Sequence, residues 1–269
     1  MRILLINDIS CIGKCSLTVE LPLVSLGGET VDILPTSILS THTGGFTGYT
    51  FRDLSEDFPE ILKHWKSLEI KYDYIVSGYL ANISQIELVK QIKKEFLKDS
   101  GIYICDPSCG DNGKLYVGFD ENFIKAMKSL VSEADITVPN LTEAEYLVGS
   151  KNLTIDELLK KLKEICPHPI VTSYREDNKL GAAYLDGDQV VKCMSNAVAG
   201  SYHGAGDVFL GALLALIIHH VKFSDAIKIA SDYATMSVEE TLKEGTEPRY
   251  GLAFEKNIPY LVSEMVKHS

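Results

Sequence analysis

The chain has 269 residues, 45% of them hydrophobic, with 26 Lys and Arg against 37 Asp and Glu and a formal net charge of −11. That length and apolar content suit one α/β domain built on a single large core. The acidic balance repels polyanions, which excludes a nucleic-acid or anionic-membrane surface and leaves small molecules and other proteins as partners.

The first apolar run, Ile3 to Ile6, is too short for a signal peptide and is closely followed by Asp8. The longest, Val208 to Ile218, is interrupted by Gly211 and is too short to span a bilayer. A soluble, cytoplasmic protein is expected. Six cysteines without a secretion signal read as reduced thiols. The pairs Cys11/Cys15 and Cys105/Cys109 offer four thiolates that can close a tetrahedral zinc site, but packed thiols are the preferred reading.

In chain order, Arg2 to Ile6 reads as a strand buried on both faces. It enters the polar loop Asn7 to Ser16, and a helical pattern follows to about Leu26. Gly13-Lys14 is no phosphate loop, since Asp8 stands where the motif needs glycine and Cys15 where it needs Ser or Thr. A second strand, Thr30 to Pro35, leads to the hydroxyl-rich stretch Thr36 to Gly45 around His42 and Thr43. That loop suits a polar heteroaromatic or sugar ligand, or simply bonds its own backbone. A helix is predicted over Ser55 to Leu68, and a strand over Tyr72 to Ser77 ending at Gly78-Tyr79.

Next come a helix over Ser84 to Lys98 and a buried strand over Gly101 to Cys105. Asp106-Pro107 at its end reads either as a Mg²⁺-binding acid of a phosphoryl-transfer site or as a plain turn. The glycine-rich segment Asp106 to Gly118 is the candidate lid. After the strand Ala134 to Val138, Thr142 and Glu145 form an expected capping box, which leaves Glu143 free to face the crevice of Asp106. A helix near Thr154 to Ile165 precedes the strand Pro169 to Ser173. Asp186-Gly187 between apolar runs signals a hairpin and hence an antiparallel sheet edge.

Gly204, Ala205 and Gly206 then turn the backbone into the buried helical run from Val208 to Ile218. Bare amides and the positive end of the helix dipole suit a phosphate there. Asp207 among them is either a helix cap or a base that takes a proton from an attacking hydroxyl. Helices near Ser224 to Glu240 and Phe254 to Val266 close the chain. The strand-helix alternation predicts a doubly wound α/β fold.

Four signatures stand in order: Asn7-Asp8 to Gly13, Asp106-Pro107-x-x-Gly110-Asp111, Pro139-Asn140-x-x-Glu143-Ala144 and Gly204-Ala205-Gly206-Asp207. Together they resemble the ribokinase superfamily, and more closely its vitamin B6 branch, over nearly the whole chain. Ser40 to Gly44, Ser77-Gly78-Tyr79 and Leu115-Tyr116-Val117 look like that branch too. The resemblance implies a ribokinase-like fold, a mostly parallel central sheet with helices on both faces and an antiparallel edge. It implies ATP-dependent phosphorylation of the 5′-hydroxymethyl group of a B6 vitamer by a homodimer, with Mg²⁺ required and K⁺ open as a further ion.

Residue by residue, the resemblance implies that Asp207 is the base and that Gly204, Ala205 and Gly206 surround the γ-phosphoryl group. Asp106 and Glu143 would organise Mg²⁺, and Asn140, Thr172 and Ser173 would serve ATP. His42, Thr43 and Tyr79 would bind the pyridine ring. Asp8 departs from the serine usual in the family, and a positively charged pyridoxamine would suit it better than an aldehyde. Cys109 replaces a usually apolar residue, and is either an inert packed thiol or one able to add to the aldehyde of pyridoxal. The rival readings are a hydroxymethylpyrimidine kinase and a non-catalytic module that binds B6 or nucleotide.

Overall fold

Alternate side chains of a strand point to opposite faces, so Ile3 and Leu5 can fill one core while Leu4 and Ile6 fill another. The protein, in a computed structural model describing residues 1–198 and 202–268, shows both sets fully buried. The strand that carries them, β1 (Arg2–Ser10), is followed by α1 (Leu17–Ser25), β2 (Thr30–Leu39), β3 (Phe51–Asp53) and α2 (Phe58–Ser67). Then come β4 (Tyr72–Ser77), α3 (Ile83–Phe96), β5 (Leu97–Cys105) and the two-stranded β6 (Gly110–Asp111) and β7 (Lys114–Leu115). The middle of the chain forms α4 (Glu121–Val131), β8 (Ile136–Thr137), α5 (Leu141–Val148) and α6 (Ile155–Lys163). The last part forms β9 (His168–Glu176), β10 (Lys179–Asp186), β11 (Gln189–Asn196), α7 (Ala205–Ile218), α8 (Phe223–Glu244) and α9 (Ile258–His268).

The main sheet runs in the order β11-β10-β9-β8-β5-β4-β1-β2-β3. Strands β2, β1, β4, β5, β8 and β9 are parallel, and β10 and β11 make the antiparallel edge signalled by Asp186-Gly187. One face is covered by α1, α7, α8 and α9 through Leu23, Leu213, Tyr233 and Leu261, the other by α2 to α6 through Phe58, Ile92, Met127 and Leu159. The doubly wound reading, a mostly parallel sheet with helices on both faces and an antiparallel edge, is therefore borne out.

Four expectations are corrected. β5 starts at Leu97, inside the segment expected to be helix up to Lys98, and not at Gly101. β1 continues past Ile6 to Ser10, because it still pairs with β2 beyond a register shift between Asn7 and Ile9. β2 continues past Pro35 to Leu39, so Thr36 and Ser37 are buried strand residues and not loop. Proline is tolerated at that point because β3 pairs only with Ser37 to Leu39, leaving Pro35 on an open edge. β3 makes the opposite edge antiparallel as well; its three residues are exposed and carry no periodicity to read.

Buried nearly along its length, α7 leans on α1 at Gly211, where an added Cβ would press against Leu23 at 3.0 Å. No helix among the described residues is long and apolar enough to cross a membrane.

Candidate active site

Open α/β sheets bind ligands beyond the carboxyl ends of their parallel strands, and there the predicted residues gather. Asn7, at the register shift of β1, holds three of those elements together. Its Oδ1 accepts the Tyr79 N–H at 2.9 Å and the Asp8 N–H at 2.9 Å, while Nδ2 donates to Glu20 Oε1 at 2.8 Å. Gly78 is needed beside it, because a Cβ there would overlap the Asn7 amide. Asn7→Ala is expected to cost about 2–4 kcal/mol, read by chemical unfolding, because it strands the Tyr79 amide and the buried Glu20 carboxyl.

Asp8 is buried, with Ser16 Oγ donating to its Oδ1 at 2.6 Å and Ser10 Oγ to its Oδ2 at 3.2 Å. Burial raises its pKa, against the pull of those two hydroxyls. Asp207 stands in the first turn of α7, where burial pushes its pKa up to about 6, with the nearby Ser16 backbone pulling against the shift and Asp8 adding to it. Gly204 caps α7 at φ 80°, a left-handed conformation, and a Cβ there would overlap the Lys14 carbonyl oxygen. Two separate reasons thus require glycine at this turn. At Gly206 an added Cβ would meet nothing, so packing does not explain that glycine.

Asp106 follows β5 and is buried; burial, and then the charge of Asp207, hold its carboxyl well above the ordinary range. Glu143 is not free, which corrects the predicted capping box. The helix begins at Asn140, whose side chain accepts the Glu143 N–H at 3.0 Å, while Glu143 Oε2 accepts the Asn140 N–H at 2.9 Å. Its Oε1 accepts from the Cys109 and Gly110 amides at 3.0 and 3.4 Å. Asn140 Nδ2 donates to the Gly110 carbonyl at 2.8 Å, and Thr142 Oγ1 accepts the Gly113 N–H at 2.9 Å. The start of α5 thus clamps the segment from Cys109 to Gly113. Burial and Asp106 raise the Glu143 carboxyl well above its usual range despite these donors.

Beside this clamp opens a cavity of about 450 Å³, a size typical of small-molecule sites. Asn140, Thr172, Ser173, Ala205 and Gly206 line it, so the residues expected to serve ATP and its phosphates are brought together. Phe209, Leu180 and Val238 give it an apolar side, and sequence reading missed these together with Arg175 and Thr235.

The residues expected on the pyridine side divide. Tyr79 is half-buried and stacks on Phe119, and burial followed by Asp8 pushes its hydroxyl up to about 12, so it belongs with Asp8. His42 has both ring nitrogens occupied: Nδ1 accepts the Gly44 N–H at 3.0 Å and Nε2 contacts the Arg249 carbonyl at 2.6 Å. An acceptor at Nδ1 fixes the proton on Nε2. His42 therefore latches its own loop to the segment around Arg249, and Thr43 beside it is exposed.

Ser16 and Glu20 were missed altogether. Glu20 carried a signal, being an acid inside the apolar pattern of α1, four residues after Ser16. It is buried, and burial, Asp207 and Asp106 raise its carboxyl well above the ordinary range. Of the cysteines, Cys11 is exposed, while Cys15, Cys105 and Cys109 are buried. Burial raises the thiol pKa of Cys109, which fits an unreactive packed group.

Residues 51–250 match the phosphomethylpyrimidine kinase family model. A pyridoxal kinase of Bos taurus is 29% identical over 250 residues, covering 82% of this chain and 78% of that protein. The structure of a pyridoxal kinase from Lactobacillus plantarum superimposes with a TM-score of 0.91 at 28% identity, over 99% of this chain and 98% of that one. A Bacteroides thetaiotaomicron structure, provisionally described as a phosphomethylpyrimidine kinase and obtained with pyridoxal, gives 0.89 at 31% identity over 98% and 95%.

Proposed function

The chain belongs to the phosphomethylpyrimidine kinase family, and on that premise we propose that it transfers the γ-phosphoryl group of ATP to the 5′-hydroxymethyl oxygen of a B6 vitamer. The observation that carries this reading is Asp207. Pure binding of a phosphate gains nothing from a carboxylate at the head of α7. A carboxylate with a pKa raised to about 6 is well matched to accept a proton near neutral pH. Asp207 takes that proton from the hydroxymethyl group, while the amides from Gly204 to Gly206 hold the phosphoryl oxygens. Asn140, Thr172 and Ser173 line the nucleotide cavity.

Mg²⁺ fits the donor chemistry, tested on the acids themselves. Asp106 is a buried carboxylate facing another acid, a setting that a hard divalent cation relieves. Glu143 already accepts three backbone amides, so it fits as an outer support of the ion and of the loop carrying Asp106. A bound Mg²⁺ would neutralise phosphate charge beside Asp207. The same reading extends to a cytoplasmic homodimer.

Asp8 favours one vitamer. Its buried carboxylate is bonded by two neutral hydroxyls, so the ammonium of pyridoxamine would supply a missing positive charge. The test is product formation from Mg-ATP with pyridoxal, pyridoxamine, pyridoxine and hydroxymethylpyrimidine. Pyridoxamine is expected to show the highest kcat/KM, and Asp8→Asn to lower that value about tenfold or more while sparing pyridoxal, the worth of one charge-assisted hydrogen bond. A higher kcat/KM for hydroxymethylpyrimidine than for every vitamer would reassign the substrate. Ligand binding without product would favour the non-catalytic module.

A further inference from the structure

Glu20 is buried in α1 together with the apolar residues Val19, Leu23 and Val24, and the proposed reaction gives it no task. Burying a carboxyl without a partner is costly, so the group it bonds explains its place. Its Oε1 accepts from Asn7 Nδ2 at 2.8 Å. The other end of that amide, Oδ1, accepts the Asp8 and Tyr79 N–H groups, each at 2.9 Å. The two ends of an asparagine amide are nearly alike in shape and opposite in role, one donating and one accepting. Two N–H groups need the oxygen, so the amide works in one orientation, and the acceptor on Glu20 selects it. Turned over, Nδ2 would face two donors, and Asp8 and Tyr79 would both lose their anchor. Glu20 itself is set where α1 meets α7, since a Cβ added at Gly211 would come within 3.5 Å of its Cα.

We propose that Glu20 is a positioning residue for substrate recognition, which through the side chain of Asn7 fixes Asp8 relative to Tyr79. The ladder between β1 and β4 runs to Ile6 and Ser77, and the Gly78 N–H adds a bond to the Ile6 carbonyl at 2.8 Å. Past that point the Asn7 amide continues the link, just where β1 shifts register against β2 and where the two residues assigned to the vitamer stand. The gap between a carboxylate on one strand end and a phenol on the other is thus set from α1. Asn140, Thr172 and Ser173 line the nucleotide cavity away from this link, so its loss should be felt by the vitamer and not by ATP.

This inference rests on the proposed recognition of a B6 vitamer by Asp8 and Tyr79, and two variants separate the reach of Glu20 from its charge. Glu20→Gln keeps the length and an oxygen acceptor without the charge, whereas Glu20→Asp keeps the charge and falls one methylene short of Asn7. Glu20→Asp is expected to raise the KM for the preferred vitamer about tenfold or more, the worth of one hydrogen bond to a charged group, while the KM for ATP stays within about twofold. Glu20→Gln should hold the vitamer KM within about threefold of wild type, because its oxygen still takes the Nδ2 bond. Amide hydrogen exchange supplies a readout independent of turnover: the Asp8 and Tyr79 N–H groups should exchange faster in Glu20→Asp and at the wild-type rate in Glu20→Gln. Wild-type KM and amide protection in Glu20→Asp would overturn the positioning role. So would a Glu20→Gln variant that loses both, which decides the matter even if Glu20→Asp does not fold. A wild type that phosphorylates no vitamer would overturn the substrate reading, and the exchange rates would then still show whether Glu20 holds the two amides.

Discussion

Asp207→Ala is expected to lower kcat by on the order of 10²–10⁴ with every vitamer that the wild type accepts, while nucleotide binding persists. The side chain stands at the head of α7, whose first residues Ala205 and Gly206 line the cavity beside Thr172 and Ser173 while Asp207 does not, so its removal leaves that cavity lined as before. The pH dependence should follow the same group. Burial raises its pKa to about 6, and only the ionised carboxylate can accept the proton. Activity should therefore be present above that pH and fall as the pH drops through about 6. In the alanine variant this acidic limb should vanish from the residual rate. A variant retaining both the rate and the limb would show that some other group takes the proton, and Glu20, Asp8 and Asp106 are acids whose charges reach the same site.

The apolar strand runs revealed where the sheet lies, because Ile3 to Ile6 of β1, Tyr74 to Val76 of β4 and Ile102 to Cys105 of β5 are unbroken hydrophobic runs that are largely buried. The motif residues then followed by topology: Asp106 and Asn140 sit just beyond the ends of β5 and β8, and Thr172 lies in β9 opposite Asn140, past the pairing of β9 with β8, where a parallel sheet binds its ligands. What could not be read depends on contacts between distant segments. The bond between His42 and the Arg249 carbonyl becomes visible only when Arg249 is packed beside it, 207 residues away. Asn7 looked like loop chemistry, and its role rests on meeting Tyr79 and Glu20 at once. Glu143 looked free because the helix was expected to be capped at Thr142, whereas Asn140 caps it and engages that acid reciprocally. Local pattern thus located the acids, and the fold decided which of them remain available.

The two glycines flanking Ala205 should respond to substitution in opposite ways, and the contrast tests whether the head of α7 holds phosphate. Gly204→Ala must accommodate φ 80° and an overlap with the Lys14 carbonyl oxygen, within a turn shared with Gly251, whose own added Cβ would also strike Lys14. The left-handed backbone costs about 1–2 kcal/mol and the overpacking about 1–3 kcal/mol, so a loss of about 2–5 kcal/mol in unfolding free energy is expected. Gly206→Val carries no such penalty. Its added carbons enter open space at the cavity wall, and valine forms helix no worse than glycine, so stability without nucleotide should be near wild type. The carbons would instead occupy the volume that phosphate needs to reach the amides. A nucleotide at about 100 times its Kd stabilises a protein by about 2.7 kcal/mol, and ADP should raise the wild-type melting temperature accordingly. Gly206→Val should keep its own melting temperature but lose that rise, and its KM for ATP should increase at least tenfold. Retention of the full ADP-induced rise in Gly206→Val would place the phosphates elsewhere.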